Sequence, residues 1–407
     1  MHMKTVFGFL GCGLLMLLAG CGPMDTDAYL KEVVANLEKI ESASYQKKVV
    51  NWTPYEDEPR FESLRYEHEY DNPADTAIGA CYVYFDKDMR LDGAYNGHVK
   101  LTVYHEQKGV LEDDFKTNRL PFRLASTPFF HSAKAILQYA LETSDSIRTS
   151  LVDEDSCYHF SLTVYEDAQV EIFGRMRHMP IPPPEFATDP ESHYELWIRK
   201  SDALPFKMYR KMSHDISLYE CIRPEFNQLS LDDLNIHDYI PEDYEFRTRE
   251  QNDRIRQKAK DEKPSMQDKP APEWTSTDTE DRPVSLKDIK SKVVLLNFTG
   301  IGCGPCQAAI PFLKELKSKY ANPEEFELIA IESWSNRTSL RLNYATKKEL
   351  NYPMLGATEQ VLEDYQTGRA APYFFLLDKN HVIRKVFFGY SPGKTNKEIE
   401  EAIKAML

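Results

Sequence analysis

The feature that most constrains this chain is a pair of cysteines placed between a predicted buried strand and a predicted helix. Residues 293–298 form an apolar run, interrupted at Asn297, that is typical of a buried parallel strand, and apolar residues recur at helical spacing over 310–316. Cys303 and Cys306 fall at the start of that helix, where free N–H groups and the helix dipole favour thiolate over thiol. We therefore expect Cys303 to be an exposed nucleophile and Cys306 a buried resolving thiol.

The two residues between the cysteines suit a site that a second polypeptide approaches. Gly304 lets a foreign backbone come close, and Pro305 presets the helical φ without leaving an N–H unpaired. A zinc site would need further ligands, but residues 273–407 hold no other cysteine and a single histidine, His381. A structural disulfide is the other alternative, although a bridge over so short a loop removes little chain entropy.

Residues 293–316 resemble the thioredoxin-like disulfide reductases of the TlpA/ResA type, which carry a similar strand, cysteine pair and helix. Residues 371–378 resemble the cis proline and following strand of that family. The resemblance covers residues 270–407 and implies a thioredoxin fold, a central mixed sheet flanked by helices. It also implies that Pro372 faces the cysteine pair and that the backbone of Ala371 pairs with an incoming substrate strand.

Three residues depart from the pattern of that family. Gly302 replaces the tryptophan that usually precedes the first cysteine, and Asn297 replaces a buried aspartate that relays protons in thioredoxins. Ala309 stands where reductases of the cytochrome-maturation type often carry glutamate. Glu332 is left as a possible proton relay, although a charged residue at a strand end is expected to be solvated.

The charge of the chain is concentrated outside this region. The 407 residues carry a net charge of −15, yet residues 273–407 hold 18 basic and 18 acidic side chains. The acidic surplus therefore lies in the first two thirds and disfavours nucleic acid as a partner. With 42% apolar residues, the chain is long enough to form two or three domains with real cores.

The first twenty residues are predicted to be a lipoprotein signal peptide. Lys4 precedes an apolar run that is too short to span a bilayer and suits a secretory signal. The sequence Leu18-Ala19-Gly20-Cys21 resembles a bacterial lipobox, which implies acylation of Cys21 and attachment to the extracytoplasmic (periplasmic) side of a bacterial membrane. The alternative is an ordinary signal peptide followed by an unrelated cysteine.

Residues 21–246 are predicted to form an acidic, β-rich domain. Many short alternating segments joined by turns such as Asn96-Gly97 favour an antiparallel sheet around a helix at 133–143. Its last part resembles the LolA-like half-barrels of periplasmic lipoprotein carriers, which implies a concave sheet and a possible apolar ligand; the alternative is a sheet packed by its own helix. We expect its three cysteines to be buried thiols rather than a disulfide pair: Cys81, Cys157 and Cys221.

Residues 247–272 are predicted to be a linker because they are highly charged, end in prolines and cannot bury a core. Residues 273–407 then form the thioredoxin-like domain, which closes with an amphipathic helix at 395–406. The predicted architecture is thus an antiparallel β half-barrel-like α+β domain, followed by a thioredoxin fold.

These features predict a membrane-anchored thiol:disulfide oxidoreductase that reduces disulfides of extracytoplasmic client proteins. The Cys303/Cys306 pair would need no other cofactor and no metal, and the resemblance implies resetting by a membrane thiol donor of the DsbD/CcdA type. The alternative is a ligand- or client-binding lipoprotein whose thioredoxin-like domain is an accessory or redox sensor. A peroxidase is disfavoured because the chain lacks a Pro-x-x-x-Thr-x-x-Cys motif.

Overall fold

The computed structural model describes residues 25–53, 58–115, 128–165, 170–172, 176–178, 192–212, 216–261 and 264–407. Cys21 and the predicted signal peptide lie outside this range. Within it, no helix combines the length and the apolar character that a membrane span requires.

Within the described residues, the amino-terminal body contains three α-helices and fourteen strands. The helices are α1 (Thr26–Leu37), α2 (Phe129–Glu142) and α3 (Arg249–Asp261). The strands are β1 (Ser42–Trp52), β2 (Phe61–Asp71), β3 (Ala80–Phe85), β4 (Leu91–Tyr95), β5 (Lys100–Tyr104), β6 (Gly109–Asp113), β7 (Ile147–Asp153), β8 (Cys157–Val164), β9 (Val170–Ile172), β10 (Met176–His178), β11 (Ser192–Arg199), β12 (Pro205–Lys211), β13 (Ile216–Phe226) and β14 (Glu245–Thr248).

Twelve of these strands form one open sheet in the order β14-β6-β5-β4-β3-β2-β1-β13-β12-β11-β8-β7, and β9 pairs with β10 separately. Every pair in the large sheet is antiparallel except β14 with β6. The prediction of an antiparallel sheet accompanied by a helix is therefore correct. The sheet does not close on itself, because β14 and β7 lie at its two edges.

Helices α1 and α2 bury one face of this sheet. Strand β11 alternates buried and half-buried residues along its whole length, as expected of a strand with one covered face. Its residues Tyr194, Leu196 and Ile198 are fully buried with Phe129 and Ile136 of α2 in a single apolar cluster. The helices of the domain itself thus fill this face of the sheet.

The predicted linker is shorter in the structure than in the sequence analysis. Strand β14 pairs with β6 through Arg247 and Thr248, so the sheet extends beyond residue 246. Helix α3 follows immediately. At the other end, Met266 packs into a carboxy-terminal core and Pro270 forms a β-bridge with Val382. The high charge density of residues 247–272 predicts a linker, but much of that charge lies on helix α3, which is solvated.

The carboxy-terminal domain, which is described throughout residues 264–407, has four α-helices and seven strands. The helices are α4 (Gly304–Lys319), α5 (Thr338–Lys347), α6 (Glu359–Asp364) and α7 (Pro392–Met406). The strands are β15 (Thr275–Thr277), β16 (Pro283–Ser285), β17 (Val293–Thr299), β18 (Phe326–Glu332), β19 (Met354–Gly356), β20 (Tyr373–Asp378) and β21 (Ile383–Phe388).

Five of these strands form a mixed sheet in the order β19-β18-β17-β20-β21. The pairs β17/β18 and β18/β19 are parallel, whereas β17/β20 and β20/β21 are antiparallel. Apolar clusters cover both faces: α4 and α7 contribute to one, and α6 contributes to the other. Strand β17 is buried at every position, as its mostly apolar sequence predicts. The predicted thioredoxin-like fold is confirmed.

The register of this sheet brings three chain segments to one edge. Thr299 at the end of β17 lies opposite Glu332 at the end of β18. Tyr373 at the start of β20 lies opposite Phe298. The loop before Cys303, the loop after Glu332 and the segment before Tyr373 therefore meet at the same place.

Candidate active site

Cys303 and Cys306 form a disulfide at the amino-terminal end of α4, with 5.2 Å between their Cα atoms. Cys303 is the N-cap of the helix, and its Sγ accepts a hydrogen bond from the N–H of Cys306 at 3.3 Å. Pro305 occupies the first turn, where its missing N–H costs nothing. The backbone N–H of Cys303 donates to the carbonyl of Gly300 at 3.0 Å, so the preceding loop turns tightly into the helix.

The structure corrects the expectation of an exposed Cys303. In the disulfide form the residue is 6% exposed, against 2% for Cys306. Gly304 and Pro305 are exposed beside it. Cys303 is thus the more accessible of the two sulfur-bearing residues, but the disulfide and the neighbouring loops cover most of it.

The peptide bond between Ala371 and Pro372 is cis, as the resemblance implied. It leads directly into β20, and the carbonyl oxygen of Ala371 lies 3.8 Å from the Sγ of Cys303. Pro372 is buried and Ala371 is half-buried. The backbone of this segment therefore borders the disulfide at Cys303.

The glycines before the disulfide have separate physical requirements. Gly302 has φ of +89°, a conformation that L side chains rarely adopt, and the space around it is open. At Gly300 an added Cβ would lie 2.5 Å from the ring of Trp334. Glycine is therefore required at position 302 because of the positive φ of the backbone. At position 300 it is required because an aromatic ring lies too close for a side chain.

Glu332 is fully buried, so the expectation of a solvated charge at the strand end is wrong. Its carboxylate accepts hydrogen bonds from the backbone N–H groups of Ile301 and Trp334, both at 2.9 Å, and of Ser335 at 3.2 Å. Burial raises the pKa of Glu332 from 4.5 to about 7, although these three donors favour the ionised form. The sequence shows a charged residue at the end of a strand but not the amides from two loops that surround it.

Asn297 and Ala309, which also depart from the family pattern, are buried on strand β17 and helix α4. Asn297 is 3% exposed, and its Oδ1 finds no hydrogen-bond partner in the part of the chain that is described. Ala309 is fully buried in the core on the α4 side of the sheet. Neither side chain can titrate, which leaves Glu332 as the buried carboxyl that contacts the cysteine loop.

Trp334 was not singled out in the sequence, but it belongs to the site. Its indole Nε1–H donates to the carbonyl of Arg369 at 2.6 Å, and its ring lies against Gly300. The only sequence signal is its position two residues after the end of β18, at the edge of the sheet where the disulfide lies.

The cysteines of the amino-terminal body are buried free thiols, as predicted. Burial raises the pKa of all three, which keeps them protonated and poorly nucleophilic at neutral pH: Cys81, Cys157 and Cys221.

Comparison with known proteins agrees with this geometry. The Redoxin family model matches residues 266–403. The thiol-disulfide oxidoreductase ResA of a Bacillus cereus strain is 33% identical over 132 residues, which are 32% of this chain and 72% of that protein. ResA of Bacillus anthracis is 30% identical over 137 residues, 33% of this chain and 76% of that protein.

Among solved structures, the chain is similar to a protein from Chlorobium tepidum described as a thiol:disulfide interchange protein DsbE. The identity is 22% and the TM-score 0.32, with 34% of this chain and 96% of that chain covered. Through its carboxy-terminal domain, the chain belongs to the TlpA/ResA-type family of thioredoxin-like thiol-disulfide oxidoreductases.

Proposed function

We propose that this protein reduces disulfides of client proteins, with Cys303 as nucleophile and Cys306 as resolving thiol. In the reduced enzyme the Cys303 thiolate attacks one sulfur of a client disulfide, which releases the other client sulfur as a thiolate. The Cys306 thiolate then attacks Cys303 in the mixed disulfide. The client leaves with both thiols reduced, and the enzyme retains the Cys303–Cys306 disulfide. Two electrons pass from the enzyme to the client.

The observation that best supports this chemistry is the position of the disulfide between a helix N-terminus and a cis-proline segment. The helix end stabilises a Cys303 thiolate after reduction. The Ala371 carbonyl, 3.8 Å from Cys303 Sγ, offers a backbone acceptor to a client strand that approaches the sulfur. Gly304 and Pro305 leave that approach open because neither carries a bulky side chain.

We assign Glu332 a positioning role and retain it as a proposed proton relay. It holds the loop before Cys303 through the Ile301 N–H, and burial places the pKa of its carboxyl at about 7. A group that titrates there can take up or release a proton during turnover near neutral pH.

The proposed direction is reduction. The Gly304-Pro305 dipeptide is that of thioredoxin, whose potential of about −270 mV marks a reductant, whereas DsbA at about −120 mV is an oxidant. Equilibration of the full chain with glutathione buffers would measure the potential. A value near that of DsbA would reverse the proposed direction.

The proposed location is the extracytoplasmic side of a bacterial membrane, with an acylated Cys21 as anchor. The lipobox-like sequence before Cys21 supports this, and two or more acyl chains would give stable attachment. A membrane dithiol donor of the DsbD/CcdA type would then reset the disulfide. Mass measurement of the mature amino terminus, compared with a Cys21→Ala variant, tests the anchor.

We also propose that the amino-terminal body is a LolA-like open half-barrel that takes an apolar ligand. The long open antiparallel sheet supports the half-barrel, and the ligand rests on the resemblance of its last part to lipoprotein carriers. Because α1 and α2 occupy that face, a ligand would have to displace one of them. Native mass spectrometry of protein purified from membranes is expected to show a bound lipid, and its absence would favour a solid core.

The redox proposal is tested by trapping. A Cys306→Ala variant is expected to accumulate mixed disulfides with clients, and Cys303→Ser to lose insulin reduction. The matched control is Cys221→Ala, which removes a buried thiol outside the site. Undiminished insulin reduction by Cys303→Ser would instead support the accessory or sensor role.

A further inference from the structure

Trp334 joins the two loops that border the disulfide. Its ring lies over the backbone of Gly300, which precedes the cysteine pair, and its indole N–H donates to Arg369, which precedes the cis peptide. The same side chain therefore contacts both the loop before the cysteine pair and the loop before the cis proline.

The backbone at Trp334 is held by the buried carboxyl of Glu332. The Glu332 carboxylate accepts the backbone N–H of Trp334 and also that of Ile301, so one buried group holds both loops. Gly300 is the position where a larger residue would push the ring away, since a Cβ there would lie 2.5 Å from it. A ring held in this way loses little conformational entropy when it binds a partner.

Trp334 is half-buried, so part of its ring is accessible. The exposed residues of the helix start and of the segment before the cis proline include small or paired ones: Gly304, Pro305, Gly368, Arg369 and Ala370. Arg369 forms an ion pair with Glu359. With its N–H already satisfied by a carbonyl, the indole offers apolar area rather than a free donor.

We propose that Trp334 is a client-binding residue that recognises an apolar side chain next to the client cysteine. It would supply, from the loop after β18, the aromatic surface that Gly302 does not provide. The inference rests on the proposed disulfide reduction and adds to it a preference for extended segments with an aliphatic or aromatic residue beside the cysteine.

The test compares two disulfide-bonded peptides that differ only in having leucine or glycine beside one cysteine, together with hydroxyethyl disulfide, which has no side chain to bind. The variants are Trp334→Ala, Trp334→Phe and, as control, Tyr104→Ala, which removes an exposed aromatic ring from the amino-terminal sheet. We expect Trp334→Ala to raise KM for the leucine peptide about fivefold, with less change for the glycine peptide. Trp334→Phe is expected to restore most of the affinity.

The rate with hydroxyethyl disulfide and the redox potential should be the same in wild type and Tyr104→Ala, and Trp334→Ala should lose less rate with hydroxyethyl disulfide than with the leucine peptide. Equal losses on all three substrates would show that Trp334 only maintains the loop, and an unchanged KM for the leucine peptide would also overturn the inference. A Gly300→Ala variant, which displaces the ring without removing it, should reproduce the selective loss. Wild-type protein that reduces none of the substrates would instead refute the proposed function.

Discussion

Replacement of the buried carboxyl by an amide, Glu332→Gln, should remove a pH dependence from the stability of the carboxy-terminal domain. Burial raises the pKa of Glu332 from 4.5 to about 7 in the folded chain. Between these values the folded protein keeps a proton that the unfolded chain has released. The stabilisation from this group is therefore complete below pH 4.5 and is lost as the pH rises through about 7.

The size of this effect follows from the pKa. Each pKa unit is worth about 1.4 kcal/mol, so the rise from 4.5 to about 7 corresponds to about 3 kcal/mol in full. Between pH 5 and pH 8 the linkage relation gives a loss of about 2–3 kcal/mol. The Glu332 residue is fully buried, so solvent screening does not reduce this figure.

The measurement is urea unfolding of the oxidised full chain at pH 5, 6, 7 and 8, followed by pulse proteolysis so that fragments report on the carboxy-terminal domain. The difference between wild type and Glu332→Gln isolates the carboxyl from other titrating groups. The amide should lower stability at pH 5, because its NH₂ has no lone pair for the Ile301 N–H, whereas a carboxyl oxygen accepts this N–H in the wild type. Parallel pH profiles for the two proteins, or a wild type that gains stability towards pH 8, would refute the explanation.

Two further outcomes follow from the structure. Gly302→Ala should lower the free energy of unfolding by about 1–2 kcal/mol, because its φ of +89° is unfavourable for alanine. No atom lies within 4 Å of the new Cβ, so a steric clash adds nothing to this cost. An unaffected urea midpoint would contradict the prediction. In the native protein, Cys81, Cys157 and Cys221 should not react with iodoacetamide until denaturant is added, because burial covers each thiol and raises its pKa. Peptide mass mapping that finds rapid labelling of any of the three in the native protein would count against this prediction.

Much of the carboxy-terminal domain could be predicted because its signals are local. The apolar run of β17, the cysteine pair and Pro372 each identify their own surroundings from a few consecutive residues. The state of Glu332 could not be predicted in this way. Its burial depends on amides of Ile301 and Ser335, which belong to loops that only the sheet register brings together.

In the amino-terminal body, short strands are also hard to predict from the sequence. Strands such as β1, β2 and β11 are long enough for their alternation of residues to be recognised in the sequence. Strands β4, β6 and β7 give only a weak alternation signal because they are short and contain glycine or many polar residues. Strand β14 was missed because its four residues open a charged segment whose pairing partner, β6, is far away in sequence.

Strand β14 pairs with β6, so it attaches the start of helix α3 to the amino-terminal body. This attachment limits how far the disulfide can move away from that body. Only four residues lie between Asp261 at the end of α3 and Met266 in the carboxy-terminal core, a stretch that spans at most about 18 Å when fully extended. So short a tether corresponds to an effective local concentration in the millimolar range. A polypeptide captured by the amino-terminal body would meet the Cys303–Cys306 pair by intramolecular collision, at a rate independent of protein concentration.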